Sequence, residues 1–186
     1  MNFLYIVVPV VIVLFVFFMM YNSLVSRRNQ IENAFGSIDA QLKKRYDLIP
    51  NLVASVKQYM THEADVLTKV TELRSQAISP GVSSEEKVNL NNQLNKSLGG
   101  IMVAVESYPE LKASDNFQNL QRSLNEVEEQ LSASRRTFNA TVTEFNNAVE
   151  MFPSNIIAGM FNFKRREVFE IPQEERENVN VGKLFS

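Results

Sequence analysis

The residues that could do chemistry begin with the single histidine, His62, which is followed by Glu63. An imidazole beside a carboxylate can act as a general base or contribute to a metal site. Neighbouring residues on a helix point in different directions, however, and catalysis also needs a nucleophile and a second orienting group, which nothing in the sequence nominates. The absence of cysteine excludes thiolate metal ligands, disulfides and cysteine nucleophiles. We therefore expect no catalytic residue.

Other patterns typical of enzymes are weak or missing in the sequence. Glu126, Glu128 and Glu129 form an acidic run that is more typical of a solvated helix face than of an ion site. Neither the paired Glu-x-x-His motifs of a di-iron bundle nor a glycine-rich phosphate loop occurs. The formal net charge of -2 provides no field that would attract nucleic acid. The sequence predicts that the protein is not an enzyme and has no cofactor, metal, nucleic-acid partner or small-molecule substrate.

A continuous apolar run occupies residues 3–21, FLYIVVPVVIVLFVFFMMY, and the first charged residue is Arg27. As a helix rising about 1.5 Å per residue, the run extends about 28 Å, close to the roughly 30 Å hydrocarbon core of a bilayer. A cleaved signal peptide would have basic residues before a shorter run and small residues at a cleavage site after it, and the sequence shows neither. Residues 1–26 are therefore predicted to be a transmembrane anchor.

Basic residues follow the apolar run and none precedes it. They are Arg27, Arg28, Lys43, Lys44 and Arg45. Because cytoplasmic flanks of membrane spans carry an excess of Lys and Arg, we expect a single-pass membrane protein with its short N-terminus outside and the bulk of the chain in the cytoplasm.

Beyond the anchor, apolar residues recur at steps of three and four in four stretches, which gives each helix one apolar face. The four stripes are Ile31, Phe35, Ile38 and Leu42; Leu52, Val56, Tyr59, Val66, Val70 and Leu73; Leu90, Leu94, Leu98, Ile101, Met102 and Val105; and Phe117, Leu120, Leu124, Val127, Leu131, Phe138, Val142, Phe145, Val149 and Phe152. No stretch reads as a strand. The sequence predicts an all-α protein, in which the N-terminal transmembrane helix is followed by an antiparallel four-helix bundle of long helices over residues 27–152.

Pro50 lies between the first two stripes, in the stretch KRYDLIPNLV of residues 44–53. Proline suits the first turn of a helix, and the residue before a proline avoids the α conformation, so we expect the first helix to turn back here. A kink within one long helix is the alternative. The choice decides where the first two helices of the bundle are connected.

Pro153 is expected to end the fourth helix, and residues 156–166, IIAGMFNFKRR, then mix apolar and basic side chains. One interpretation places this segment at the headgroup level of the membrane; the other is that it covers the end of the bundle core. The predicted membrane-interface residues are Arg27, Arg28, Ile156, Ile157, Phe161, Phe163, Lys164, Arg165 and Arg166. Residues 153–170 thus form a membrane-proximal or bundle-capping segment, and residues 171–186 are expected to be a flexible tail.

Several segments, in order along the chain, resemble the LemA family. They are residues 21–25 (YNSLV), 28–35 (RNQIENAF), 39–53 (DAQLKKRYDLIPNLV), 56–59 (VKQY), 62–63 (HE), 108–113 (YPELKA), 117–121 (FQNLQ), 135–139 (RRTFN) and 149–155 (VEMFPSN). The resemblance covers residues 21–169. It implies a single N-terminal transmembrane helix in a bacterial cytoplasmic membrane, a short outside terminus and a helical cytoplasmic domain. It implies no settled biochemical activity.

A chain of this kind is expected to work by binding. We predict a scaffold or adaptor at the inner face of the membrane, with the lipid bilayer and a second copy of the chain as partners. Asparagines within the stripes, among them Asn139 and Asn146, could fix helix register or order a self-association interface. The alternative follows from the family resemblance, since members often occur beside membrane metalloprotease genes. It is an accessory or substrate-presenting factor of such a protease in membrane protein quality control.

Overall fold

The computed structural model describes residues 2–60 and 64–169, and within these ranges it contains six α-helices and no strand. The helices are α1 (Asn2–Lys57), α2 (Ala64–Ala77), α3 (Ser84–Val105), α4 (Pro109–Ala113), α5 (Asp115–Glu150) and α6 (Ser154–Met160). The predicted all-α fold with one long apolar N-terminal helix is confirmed.

Helix α1 is 56 residues long and passes through Pro50 without a turn. The predicted chain reversal at Pro50 is therefore wrong, and the first connection follows the end of α1 instead. Buried positions repeat every three or four residues across the proline, from Leu42 through Tyr46 and Ile49 to Leu52. Because the apolar face keeps its phase, α1 buries the end of the first stripe and, through Leu52 and Val56, the start of the second on one side.

The backbone also accommodates Pro50. A proline has no N–H, so the carbonyl four residues earlier in the helix, that of Tyr46, loses its intrahelical donor. In the structure, Nε of Arg74 on α2 donates a hydrogen bond to this carbonyl oxygen over 2.7 Å. The side chain of Arg74 thus satisfies the acceptor that the proline leaves open, and it ties α2 to α1.

The chain divides into two compact units, each of which includes part of α1 and part of α5. The span unit comprises residues 1–35 and 135–186, of which 2–35 and 135–169 are described. The bundle unit comprises residues 36–134. The boundaries expected from the sequence lie after residues 26, 152 and 170. They divide the chain by proposed role rather than by contacts, and they stay a prediction.

In the bundle unit, the second part of α1 packs with α2, α3 and the first part of α5. Helix α2 returns along α1 and packs against α3. Helix α3 runs parallel to α1, since Lys87 pairs with Asp39 over 2.5 Å and Asn91 bonds Arg45 over 3.0 Å. The short α4 joins α3 to α5, which makes these two helices antiparallel neighbours. Four helical segments therefore form the predicted bundle.

Most of the core of the bundle unit consists of residues in the predicted apolar stripes, and residues such as Ile49 and Leu111 add to it from outside them. Its largest fully buried side chains are Ile38, Leu42, Ile49, Leu52, Met60, Leu73, Leu94, Ile101, Leu111 and Phe117. Each such side chain stabilises the fold by about 1.5–3 kcal/mol relative to leaving it exposed. Tyr59 lies at least one-third exposed beyond the end of α1, so it does not continue the stripe to which the spacing assigned it.

The role of Arg74 predicts an energetic coupling with Pro50. Arg74→Ala should lower the free energy of unfolding by about 1–3 kcal/mol, because the Tyr46 carbonyl is left without a donor. In a Pro50→Ala background the loss should be clearly smaller, because the N–H of the new alanine can donate to that carbonyl. Chemical denaturation of the four chains of this double-mutant cycle, in detergent, measures the difference.

Lys69→Ala is the matched control, because it removes an exposed basic side chain from the same helix. Its effect should be small and equal in both backgrounds. Equal costs of Arg74→Ala with and without Pro50 would show that the hydrogen bond does not compensate for the proline.

Candidate functional site

The apolar run in the first part of α1 is exposed. Most side chains that the structure describes between Phe3 and Met19 are exposed. Examples are Phe3 (80% exposed), Val13 (67%) and Phe18 (60%). Only 6% of this apolar stretch is buried inside the protein. Within residues 2–60 and 64–169, this is the one helix long and apolar enough to cross a membrane. Since such a surface needs an apolar surrounding, the predicted transmembrane helix is supported.

The end of α5 and helix α6 pack back onto α1 in the span unit. Leu24 of α1 forms a small core with Ile157 and Ala158 of α6, and all three side chains are at most 4% exposed. Ile157, one of the predicted membrane-interface residues, therefore lies inside the protein. The residues of α1 in contact with this core include Met20 and Tyr21, which end the apolar run.

Two phenylalanines after α6 extend this packing. The ring of Phe161 lies 4.7 Å from that of Tyr21 and 6.1 Å from that of Phe17, between centroids. The ring of Phe163 lies 6.1 Å from Tyr21 and 6.4 Å from Phe145 of α5. The segment after α6 is thus positioned beside the last two turns of the apolar run.

An exposed apolar patch remains on the outer side of this segment, and we call it the α6 surface. Its residues are Met151 (63% exposed), Phe152 (79%), Ile156 (56%), Met160 (67%) and Phe161 (47%). Phe152 was predicted to lie in the buried seam of the fourth helix. It is exposed because α5 ends at Glu150, two residues earlier.

The predicted basic residues lie around the same part of the span unit. Arg27 pairs with Glu144 over 3.4 Å, and Arg165 pairs with Glu150 over 2.7 Å. The guanidinium of Arg28 lies 5.7 Å from the centre of the Phe163 ring, within the range of a cation–π contact.

Lys164 and Arg166 of the predicted set are also exposed. The structure therefore gathers the predicted interface residues into one unit. Their assignment to a membrane interface stays a prediction.

The role of Asn139 and Asn146 was not foreseen from the sequence. The amide of Asn146 accepts from the backbone N–H of Arg166 and donates to its carbonyl oxygen, each over 2.9 Å. Asn139 makes the same pair of bonds with Phe169, over 2.8 and 3.0 Å. The two asparagines are two turns apart on α5, so together they hold an extended backbone along the helix. This is a use within the chain that neither sequence interpretation included.

A buried polar cluster lies in the bundle unit. Nη1 of Arg45 donates to Oδ1 of Asn91 over 3.0 Å and pairs with Glu128 over 2.7 Å, and the Arg45 side chain is 8% exposed. The cluster connects α1, α3 and α5. The sequence places Arg45 only among the basic residues that follow the apolar run, and Glu128 in an acidic run typical of a solvated helix face. The apolar spacing alone could have shown that position 45 lies next to the seam.

Tyr46 is buried beside this cluster, and burial raises its pKa from 10.0 to about 12. The nearby charge of Arg45 lowers the pKa, and that of Asp39 raises it further. The hydroxyl of Tyr46 has no hydrogen-bond partner among the described residues. Such a group favours the neutral phenol and gives no reason to expect a reactive phenolate at neutral pH.

Candidate metal ligands do not cluster in the described part of the chain. No group of three His, Asp or Glu side chains there could hold a metal ion. His62 and Glu63 lie outside the described residues. The charged side chains at the centre of the bundle unit bind one another, as Arg45 and Glu128 do.

These features define a class: a membrane-associated helical protein with an N-terminal span and a helical bundle. The profile of the LemA family matches residues 34–182, which is most of the chain. The chain belongs to the LemA family, and the resemblance seen in the sequence is confirmed.

Similar proteins agree with this assignment. Protein LemA of Metamycoplasma hominis is 27% identical over 181 residues, covering 97% of this chain and 83% of that protein. Magnetosome protein MamQ 2 of Paramagnetospirillum magneticum is 23% identical over 177 residues, and MamQ of Magnetospirillum gryphiswaldense is 22% identical over 176 residues. These matches cover 82% and 81% of this chain, respectively, and the chain spans 65% of the length of each MamQ protein.

The raised pKa of Tyr46 predicts a loss of stability at high pH. The folded chain holds the phenol proton more tightly than the unfolded chain, so the contribution is complete below pH 10 and disappears as the pH rises through 12. A shift of this size corresponds to at most about 3 kcal/mol of unfolding free energy, and solvent screening reduces it. Tyr46→Phe should remove this part of the pH dependence and, because the hydroxyl bonds none of the described residues, should not destabilise the chain at neutral pH.

Unfolding of the two chains from pH 8 to 12 measures the effect, with Tyr59→Phe as the control because that ring is more exposed. Parallel pH curves for the unaltered chain and Tyr46→Phe would contradict the account.

Proposed function

We propose that the protein is a single-pass scaffold or adaptor that acts by binding at the cytoplasmic face of a membrane, self-associates and performs no catalysis. The observation that carries the proposal is the continuity of α1. One helix supplies both the exposed apolar run and the buried seam of the bundle unit, including Leu42 and Ile49. Helix α1 thus links the apolar run to the bundle unit along the chain.

Tethering supplies the mechanism. Anchoring a protein to a surface raises the effective concentration of its copies and partners there, which increases avidity without new contacts. The orientation is supported by Arg27, Arg28 and the further basic residues that follow the apolar run, since such residues mark the cytoplasmic side.

The absence of catalysis is proposed from what the charged residues do. Arg27, Arg45 and Arg165 each bind a carboxylate of a neighbouring helix or segment, so their charges serve the packing. Arg74 donates a hydrogen bond to the backbone carbonyl of Tyr46.

Cross-linking in intact cells tests the proposal. A membrane-permeant, lysine-reactive cross-linker should join copies of the chain, because Lys43, Lys44 and Lys57 are exposed. An impermeant reagent of the same length should join none until the cells are opened, because the bundle lies in the cytoplasm. Mass spectrometry of the products identifies the partners. A chain without residues 2–26, expressed at the same level, is the control and should lose most of the self-cross-links.

Each contrary result has a distinct meaning. Monomers alone would contradict self-association. Reaction with the impermeant reagent in intact cells would show that the bundle lies outside the cell, which is the opposite of the proposed orientation. Cross-links to a membrane metalloprotease without self-cross-links would replace the scaffold by an accessory factor of that protease.

A further inference from the structure

We propose that the α6 surface inserts into the headgroup–acyl boundary of the leaflet that α1 enters, so that the chain contacts the membrane at a second place besides its span. The partner is the lipid bilayer. This inference rests on the membrane anchoring in the proposed function, but it does not depend on the scaffold role or on self-association.

Helix α6 has two different faces. Ile157 and Ala158 point into the core with Leu24 and are almost completely buried. Ile156 and Met160, four residues apart and therefore on one face of the helix, are 56% and 67% exposed. The inner face accounts for the packing of α6, so covering the core does not explain the apolar outer face. Contiguous exposed apolar side chains of this kind are typical of a binding surface.

The α6 surface is continuous with the part of α1 that must lie in lipid. Phe161 contacts the rings of Phe17 and Tyr21, at the end of the apolar run. On its other side, Met151 and Phe152 line a cavity with Met20 that also contains the Arg27–Glu144 pair, so the apolar continuity with α1 rests on Phe161. The surface therefore lies at the level where α1 leaves the hydrocarbon core, and amphipathic segments bind membranes at that depth.

The charges beside the α6 surface suit the headgroup region. Arg28, Lys164 and Arg165 are exposed, and Arg27 is partly exposed. Long basic side chains at this level can keep their charges among lipid phosphates while their stems lie along apolar surface. The combination of outward apolar residues and flanking basic residues matches an interfacial segment.

Lipid is a better occupant than a second copy of the chain. The apolar side chains of α1 next to Phe161 already require lipid around them, and the α6 surface extends this exposed area without a polar boundary between Phe17 and Phe161. A second copy would have to exclude lipid from this continuous surface.

Tryptophan fluorescence in full-length chains tests the inference, because the protein has no tryptophan of its own. Ile156→Trp and Met160→Trp place a probe on the outer face of α6 at already exposed positions. Each chain is reconstituted in phosphatidylcholine–phosphatidylglycerol bilayers that carry bromine either near the headgroup or near the chain ends. Leu14→Trp probes the middle of the apolar run, and Val103→Trp, at a 75% exposed position of the bundle unit, is the control outside the membrane.

Ile156→Trp and Met160→Trp should be quenched more strongly by bromine near the headgroup, and Leu14→Trp by bromine near the chain ends. Val103→Trp should respond only to aqueous iodide. If lipid quenches Leu14→Trp but neither α6 probe, the inference is overturned while the anchoring stands. If brominated lipid quenches neither α6 probe and both probes are also protected from iodide, a second copy covers the surface, and the inference is again overturned. If Leu14→Trp is not quenched either, the anchoring and the proposed function fail together.

Discussion

The hydrogen bond from Arg74 to the carbonyl of Tyr46 is the interaction on which the architecture of the bundle unit depends. Pro50 removes a donor from the interior of α1, which ordinarily costs about 3 kcal/mol or more. A side chain from α2 supplies the missing donor, so the helix can continue to Lys57. The first connection of the bundle therefore comes after α1 rather than at Pro50. Helix α1 is longer, and α2 shorter, than a reversal at the proline would make them.

Helix α1 therefore has two parts whose apolar side chains need different surroundings. Its first part exposes apolar side chains that need lipid, and its second part buries an apolar seam among other helices. Charged groups that could have suggested a catalytic centre are used to hold helices together, as Arg45 is with Asn91 and Glu128. The span, the α6 surface and the exposed faces of the bundle support the proposal that the protein acts by binding at a membrane.

Much of the fold follows from the sequence, because residue spacing reports which face of a helix is buried. The apolar run, the all-α class and most buried positions were predicted correctly. Pro50 was misjudged because local propensity was given more weight than the phase of the stripe, which runs unchanged from Leu42 to Leu52. The hydrogen bonds of Asn139 and Asn146 with the later backbone join residues 30 and 20 positions apart, respectively. No local pattern encodes such contacts, so this part of the site could not have been predicted.

The distance between residues 43 and 57 tests the continuity of α1 most directly. Both lysines are exposed, and the chain has no cysteine, so Lys43→Cys and Lys57→Cys can carry the only two spin labels. Along one helix these positions, equally far from Pro50, are separated by about 21 Å between their Cα atoms. Double electron–electron resonance should give a narrow distribution consistent with that separation. If the chain reversed at Pro50, the labels would face each other on packed helices about 10 Å apart, and strong dipolar broadening of the continuous-wave spectrum would contradict the account.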